Sequence, residues 1–211
     1  MKATINFRAV SALSKISALS KGDIRYYLYG VNVQVTPDTI EYAATNGHVL
    51  AVIRETRDKE EEGYTPDSFE CIIPHDIAKA KLGHSNVASL TFDKVTPKET
   101  RLDYQGAVGS HIFEAIDAKF PDYQRLYPQT CSGETAQFDP ALPVALQSAY
   151  QVYSDTKKAQ FITIAHNGNA VALACGSRPE FLGLIMPIRG AAPELPEWSR
   201  TNLPARLKIA A

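Results

Sequence analysis

Histidine and cysteine are the residue types through which this 211-residue sequence could carry out catalysis or bind a metal. The dipeptide His75-Asp76 is compatible with a metal-dependent phosphohydrolase, but such a site needs several further ligands in register. The other histidines lie on different predicted elements without ligand spacing: His48, His84, His111 and His166. No phosphate-binding, dinucleotide-binding, zinc-protease or serine-hydrolase motif occurs. His75-Asp76 instead predicts the start of a helix, where the dipole favours a carboxylate.

The cysteines give no support for a disulfide framework or a structural zinc site. Cys71, Cys131 and Cys175 are odd in number and widely spaced. Cys131 lies in a Ser/Gly connector without a histidine nearby to activate it. We therefore expect a protein that is not an enzyme, binds no metal or cofactor, and resides in a reducing, cytoplasmic compartment.

Charge and hydropathy limit the function further. The formal net charge is -1, which predicts no overall attraction to a polyanion but allows a local basic face. Arg8 and Lys15 interrupt the apolar N-terminal stretch, and no apolar run reaches the roughly 18 residues that a membrane-spanning helix needs. Secretion and membrane insertion are not expected.

Three stretches of the chain share one pattern: a short strand, a helix, then three strands. The first unit covers residues 1–60, with Val10, Leu13 and Ile16 on one helical face. The second unit covers residues 66–128, and its predicted helix is HDIAKAKLGH. The third unit lies within residues 129–189. Asn46-Gly47 and Asn167-Gly168 are typical of hairpin turns.

One such unit cannot bury its apolar surface alone, so two units are expected to form one domain with helices covering a joined sheet. The pattern predicts an α+β fold with a complete domain at residues 1–128 and a half domain at 129–189. Residues 190–211 carry three prolines and predict an extended tail, docked by Trp198.

Four segments give the sequence a resemblance to a known family. They are RYYLYG at 25–30, ATNGHVLA at 44–51, KFPDYQRLYP at 119–128 and LIMPIR at 184–189. In this order and spacing they resemble the bacterial DNA polymerase III beta subunit, the replicative DNA sliding clamp. The resemblance implies the DNA-clamp fold, with sheets outside and helices lining a hole that duplex DNA threads. Residues 1–128 resemble the whole middle domain, and 135–189 resemble only the second half of the last.

The resemblance also implies a pocket that receives short peptides from DNA polymerases and the clamp loader. Aliphatic walls, a flexible Met and a Gly suit an apolar peptide side chain. Val49 replaces the usual Arg and Gly190 replaces a terminal Leu, and the alternative reading makes these residues ordinary core and turn. The candidate pocket residues are Leu28, Thr45, Gly47, His48, Leu50, Pro128, Leu184, Met186, Pro187 and Ile188.

Residues 21–27 (KGDIRYY) resemble a loop that touches the DNA backbone in the family. Cations neutralise phosphates, and tyrosines hydrogen-bond to them or pack on sugars, without reading bases. For the cations on helices, a solvated face is an equal explanation. The candidate DNA-binding residues are Arg8, Lys15, Lys21, Gly22, Arg25, Tyr26, Tyr27, Lys79 and Lys81.

The leading hypothesis is a shortened sliding clamp, of the kind that a phage or mobile element could encode, which tethers replication proteins to duplex DNA. The unpaired third unit predicts a homo-oligomer, in which it pairs with the same unit of a second chain. Two such dimers would supply the twelve units of a ring. The alternative hypothesis is an adaptor or decoy that binds clamp-interacting peptides without forming a ring, and an uncharacterised hydrolase is a third reading.

Overall fold

The computed structural model describes residues 1–60, 64–80, 87–92, 99–104, 110–155 and 161–189. These ranges contain eleven strands, three α-helices and three short 3-10 helices at Ala18–Ser20, Tyr26–Leu28 and Gln124–Leu126. The helices are α1 (Phe7–Ser17), α2 (His75–Ala78) and α3 (Ala141–Ser154). The strands are β1 (Lys2–Asn6), β2 (Gly30–Val35), β3 (Thr39–Thr45), β4 (Val49–Thr56), β5 (Phe69–Pro74), β6 (Val87–Thr91), β7 (Thr100–Tyr104), β8 (Ser110–Phe113), β9 (Thr163–Ala165), β10 (Ala172–Cys175) and β11 (Phe181–Ile185).

All strand pairs are antiparallel and form two sheets. One sheet has four strands in the order β1-β6-β7-β8, and the other has seven in the order β5-β2-β3-β4-β11-β10-β9. The first strand of the first unit joins the sheet of the second unit, and β5 joins the sheet of the first. The predicted α+β class with antiparallel sheets is confirmed, whereas the division into one and a half domains stays a prediction.

The helices form a layer against the sheets. Asn6 caps α1, because its side-chain oxygen accepts a hydrogen bond from the Arg8 backbone N–H at 3.1 Å. The predicted apolar face of α1 is fully buried at Val10, Leu13 and Ile16, and α1 packs against α3. The predicted helix start at His75-Asp76 is confirmed, although α2 ends at Ala78. The last four residues of the predicted helix, 81–84, lie outside the described residues.

The seven-stranded sheet is covered on both faces. Val31, Val33 and Tyr42 lie in the core on the helix side, as the alternating pattern predicts. On the opposite face a second group of side chains, the outer-face cluster, is buried beneath the segment around Phe120 and Tyr123. It consists of Leu28, Ala43, Leu50, Val52, Ile72, Phe120, Tyr123 and Leu184.

Tyr123 fixes this covering segment to the sheet. Its hydroxyl donates a short hydrogen bond to the carboxylate of Glu41 on β3. Burial, and then the hydrogen bond to Glu41, raise the pKa of Tyr123 far above its ordinary range. Within the described ranges, no helix is both long and apolar enough to cross a membrane.

Candidate peptide-binding pocket and DNA-facing surface

The turn between β3 and β4 is held by its own side chains. The Asn46 side-chain oxygen accepts hydrogen bonds from the backbone N–H groups of His48 and Val49, both at 2.9 Å. The Thr45 hydroxyl donates to the Val49 carbonyl at 2.7 Å and accepts from the Gly47 N–H at 3.0 Å. Gly47 has a φ of +90°, a backbone conformation that glycine adopts without strain. The predicted Asn46-Gly47 turn is confirmed.

The third unit reaches this turn through a strand pair. Strand β4 pairs with β11, and Leu50 lies opposite Leu184 in the register. One residue beyond β11, the Met186 N–H donates to the His48 carbonyl at 2.8 Å. Side chains from distant parts of the sequence therefore meet at the turn.

A small cavity of about 50 Å³ lies where these segments meet, and we call it the turn pocket. Six of the ten candidate pocket residues line it. Leu126 and Met186 are each 43% exposed, so the lining presents apolar side chains at the surface. The lining consists of Thr45, Gly47, His48, Val49, Leu50, Leu126, Val171, Leu184 and Met186.

The other four candidate pocket residues lie beside the turn pocket rather than in its lining. Leu28 is fully buried in the outer-face cluster with Leu50 and Leu184, so it supports the pocket floor. Pro128 and Pro187 are half-buried. Ile188 is 53% exposed, and its N–H donates to the Gln137 carbonyl at 2.8 Å.

Three lining residues were absent from the sequence-based list. Leu126 lies inside the KFPDYQRLYP segment, so the resemblance could have included it. Val49 was noted only as a departure from the family. Val171 follows the Asn167-Gly168 turn, and no feature of the sequence connects it to the turn at Asn46.

The loop at residues 21–27 is attached to the turn pocket through Arg25. The Arg25 guanidinium donates to the Asp23 carboxylate at 2.6 and 3.1 Å and to the Asn46 carbonyl at 3.2 Å. The side-chain and backbone hydrogen bonds from Arg25 lower the pKa of Asp23 to about 2. Arg25 is thus held in an ion pair and positions the loop rather than presenting an unpaired cation.

The two tyrosines of this loop have different environments. Tyr26 is exposed, and its hydroxyl donates to the Asp117 carbonyl at 3.3 Å. Tyr27 is half-buried and packs against the outer-face cluster. Gly22 has a φ of +82° and turns the chain between Lys21 and Asp23. Tyr26 is therefore the more exposed of the two candidate tyrosines.

Three exposed lysines from separate elements carry charges that act on His75, and we call them the lysine patch: Lys15, Lys21 and Lys79. Burial is the main cause that lowers the pKa of His75; the charge of Lys79 lowers it further, Asp76 raises it in part, and Lys15 and Lys21 lower it by less. Lys79 also pairs with Asp76, with 2.5 Å between Nζ and Oδ1. The structure thus brings together three of the candidate DNA-binding cations, while Lys81 lies outside the described residues.

His75 has a structural environment rather than that of a metal ligand. Its Nδ1 lies 2.9 Å from the Ser17 hydroxyl, and its ring stacks on Tyr29. Across the described part of the chain, no group of three or more His, Cys, Asp or Glu side chains could hold a metal ion.

Arg8 lies at the other end of α1. Its guanidinium forms an ion pair with Asp155, just beyond α3, with 2.6 Å between the charged atoms. Among the described candidate cations, three lie in the lysine patch, while Arg8 and Arg25 are each held in an ion pair elsewhere.

Comparison with known proteins identifies the family of the chain. The family model for the central domain of the DNA polymerase III beta subunit matches residues 6–122, more than half of the chain. The beta sliding clamp of Pseudomonas putida is 26% identical over 116 residues, which are 53% of this chain and 29% of that protein. The beta sliding clamp of Synechococcus elongatus is 26% identical over 164 residues, covering 74% of this chain and 41% of that protein. The chain thus spans less than half the length of these relatives.

Solved structures match over most of the chain. The DNA polymerase III beta subunit of Pseudomonas aeruginosa has a TM-score of 0.62 at 17% identity, covering 90% of this chain and 66% of that one. The beta subunit of Thermotoga maritima has a TM-score of 0.64 at 13% identity, with the same coverage. These similarities show the fold, and the match of the central-domain model over residues 6–122 shows that the chain belongs to the DNA polymerase III beta subunit family.

Proposed function

We propose that this protein is a sliding-clamp-like processivity factor, which keeps replication proteins on duplex DNA by binding a short peptide of each partner in the turn pocket. The observation that carries the proposal is the β4–β11 pair, which assembles one pocket from the first and third units. The proposed activity is binding, and the proposed partners are duplex DNA and peptides of a DNA polymerase or clamp loader.

The lining of the turn pocket suits an apolar peptide side chain. Leu50 and Leu184 form buried walls, while Met186 is exposed and its flexible thioether can adapt to different side chains. At about 50 Å³ the cavity is smaller than typical ligand pockets, which measure roughly 300 Å³ or more. Binding therefore requires Met186 or Leu126 to move outward as the peptide enters.

The lysine patch suits the DNA backbone. Its members lie on α1, in the loop after it and just beyond α2, so they follow the helix layer of the fold. Lysines without base-reading side chains give contacts with phosphates that depend on salt and not on sequence. A net charge of -1 is compatible with this arrangement, because the attraction is local.

A peptide-binding measurement tests the pocket. Fluorescence polarisation of a labelled peptide with adjacent Leu and Phe side chains should show saturable binding to the full chain. Met186→Asp should weaken binding at least about tenfold, because it places a charge in the apolar lining. Ile112→Asp is the matched control, since it adds the same charge at an exposed position on β8, outside the lining and outside the candidate pocket residues. No binding, or equal losses in both variants, would reject the pocket.

Retention on DNA tests the ring. A ring-shaped assembly should stay on circular duplex DNA and be lost when the DNA is linearised, because it can slide off the ends. Lys15→Gln combined with Lys79→Gln should reduce the initial, salt-dependent binding. An adaptor that only captures peptides would bind the peptide and show no difference between the two DNA forms.

A further inference from the structure

The first and second units are joined by an exchange of strands. Strand β1 of the first unit pairs with β6 of the second, with Ala3 opposite Leu90. Strand β5 of the second unit pairs with β2 of the first, with Val33 opposite Cys71. Each unit therefore completes the sheet of the other. We call the two units mates: the outer edge of β2 in the first unit is covered by β5, the first strand of its mate, the second unit.

The third unit has the same order of elements as the second unit, but no other unit within the described residues exchanges strands with it. In the second unit, Ile72 of β5 also bridges Ile116, just beyond the last strand β8. In the third unit, Gln137 bridges Ile188, just beyond the last strand β11. The segment before α3 thus corresponds to β5, and β9 corresponds to the strand that a mate's first strand should cover.

The outer edge of β9 is open within the described part of the chain. Strand β9 pairs with β10 on one side, and none of the described strands pairs with the other. An open edge presents backbone N–H and C=O groups that can pair with a strand from another chain. In the first unit, the equivalent edge is covered over six residue pairs by β5.

Exposed apolar side chains flank this edge. Phe161, two residues before β9, is 75% exposed, and Val144 on α3 is 63% exposed. The two are connected through Gln147, whose side-chain oxygen accepts a hydrogen bond from the Ile162 N–H at 3.0 Å. Because Val144 lies one turn before Gln147, it is on the part of α3 next to the start of β9.

From this topology we propose that the third unit of a second copy of this chain docks on the α3–β9 side, about a two-fold axis. Each copy would place the segment before its α3 along the β9 edge of the other, as β5 lies along β2. A two-fold contact uses the same patch on both chains and satisfies both open edges at once. This inference goes beyond the proposed function and does not depend on peptide binding in the turn pocket.

The oligomeric state of the full chain tests the proposal. Sedimentation velocity across micromolar concentrations should show a species of twice the 23.1 kDa chain mass. Val144→Lys combined with Phe161→Lys should weaken the dimer at least about tenfold, because both changes place charges in the contact. Both sites are exposed in the single chain, so the variant should keep the wild-type circular dichroism spectrum. Ile24→Lys, at an exposed loop position, is the matched control and should leave the dimer unchanged.

Two further measurements locate the contact. Hydrogen exchange at residues 163–165 should slow as the concentration rises, because pairing protects the amides of β9. Ile112→Lys, on the outer strand of the four-stranded sheet, should leave the dimer intact. A strictly monomeric wild-type chain, a dimer without added protection at β9, or a dimer broken by Ile112→Lys and not by the Val144/Phe161 variant would overturn the proposal.

Discussion

The first unit meets its two neighbours in different ways. With the second unit it exchanges first strands, so that two sheets are shared along β1–β6 and β5–β2. With the third unit it shares one strand pair, β4–β11, together with the packing of α1 on α3. We call these contacts the exchange joint and the end joint. The turn pocket lies at the end joint, so the simpler of the two contacts is the one that offers a binding site.

The side chains at the two joints also differ. At the exchange joint, Gly30 of β2 is so closely packed that an added Cβ would lie 2.7 Å from Ile72 Cγ2 and 2.9 Å from the Ile73 carbonyl oxygen. At the end joint, Glu55 accepts hydrogen bonds from Asn6 at 2.7 Å and Tyr153 at 3.1 Å. The nearby Glu180 Oε2 is buried without a hydrogen-bond partner among the described residues. Close backbone packing at Gly30 characterises one joint, and a half-buried polar network around Glu55 characterises the other.

Among the tests that compare the two joints, substitution of one glycine at each joint should give the largest difference in the free energy of unfolding. Gly30→Ala should cost about 2 kcal/mol of unfolding free energy, because its Cβ would meet backbone and force the strands apart. Gly183→Ala on β11 should cost less, about 1 kcal/mol, because its two closest neighbours are Leu146 methyl groups at 2.9 and 3.0 Å that can move, and only the Ala174 Cβ at 3.1 Å is fixed. Urea denaturation of both variants measures the difference. Equal losses would show that the joints are packed alike.

Elements with a local periodic signal could be predicted from the sequence. The buried face of α1 follows from the spacing of Val10, Leu13 and Ile16, and the β3–β4 turn from Asn46-Gly47. Each depends on neighbours within a few residues along the chain. The resemblance implied that Leu50 and Leu184 share a pocket, but the pairing of β4 with β11 was not predicted, because nothing in either strand alone specifies the other.

Site residues within the segments that resemble the family could be predicted from the sequence. Site residues that only tertiary packing brings to the turn pocket could not. His48 and Met186 were expected and do meet, whereas Val171 joins them only because β10 lies beside β11. The pairing of Arg25 with Asp23 was also missed, since it depends on the loop conformation that also brings Arg25 to Asn46. Expecting Arg25 to be an available cation overlooked this local partner.

The two joints should also differ in how their stability depends on pH, with a smaller effect than that of the glycine substitutions. Burial raises the pKa of Glu55 above its ordinary value of 4.5, so the folded chain holds this proton to higher pH than the unfolded chain does. Its stabilising contribution is therefore complete below about pH 4.5 and is lost as the pH rises through the raised pKa. Glu55→Gln keeps a hydrogen-bond acceptor without the charge, so its melting temperature should fall less between pH 4.5 and 7.

A carboxylate at the exchange joint provides the control for this measurement. Glu70 accepts a hydrogen bond from the Asn32 side chain at 2.9 Å across the β2–β5 pair. Thermal denaturation from pH 4 to 8 should be compared for wild type, Glu55→Gln and Glu70→Gln. The same change of profile in both variants would mean that the half-buried network around Glu55 has no special role in the pH response.

The ion pair of Arg8 with Asp155 should have the smallest effect on stability, although it connects α1 to the end of α3. Asp155 is largely exposed and has a φ of +46°, a conformation that Asn also tolerates. Asp155→Asn should therefore change the unfolding free energy by less than about 1 kcal/mol.

The Asp155→Asn variant also removes a negative charge and releases Arg8. At low salt it should therefore bind duplex DNA about threefold more tightly if DNA lies along the whole helix layer. Arg8→Gln should not gain affinity, and adding it to Asp155→Asn should cancel most of the increase. Unchanged affinity in Asp155→Asn would mean that DNA does not approach the end joint, and would leave the lysine patch as the contact.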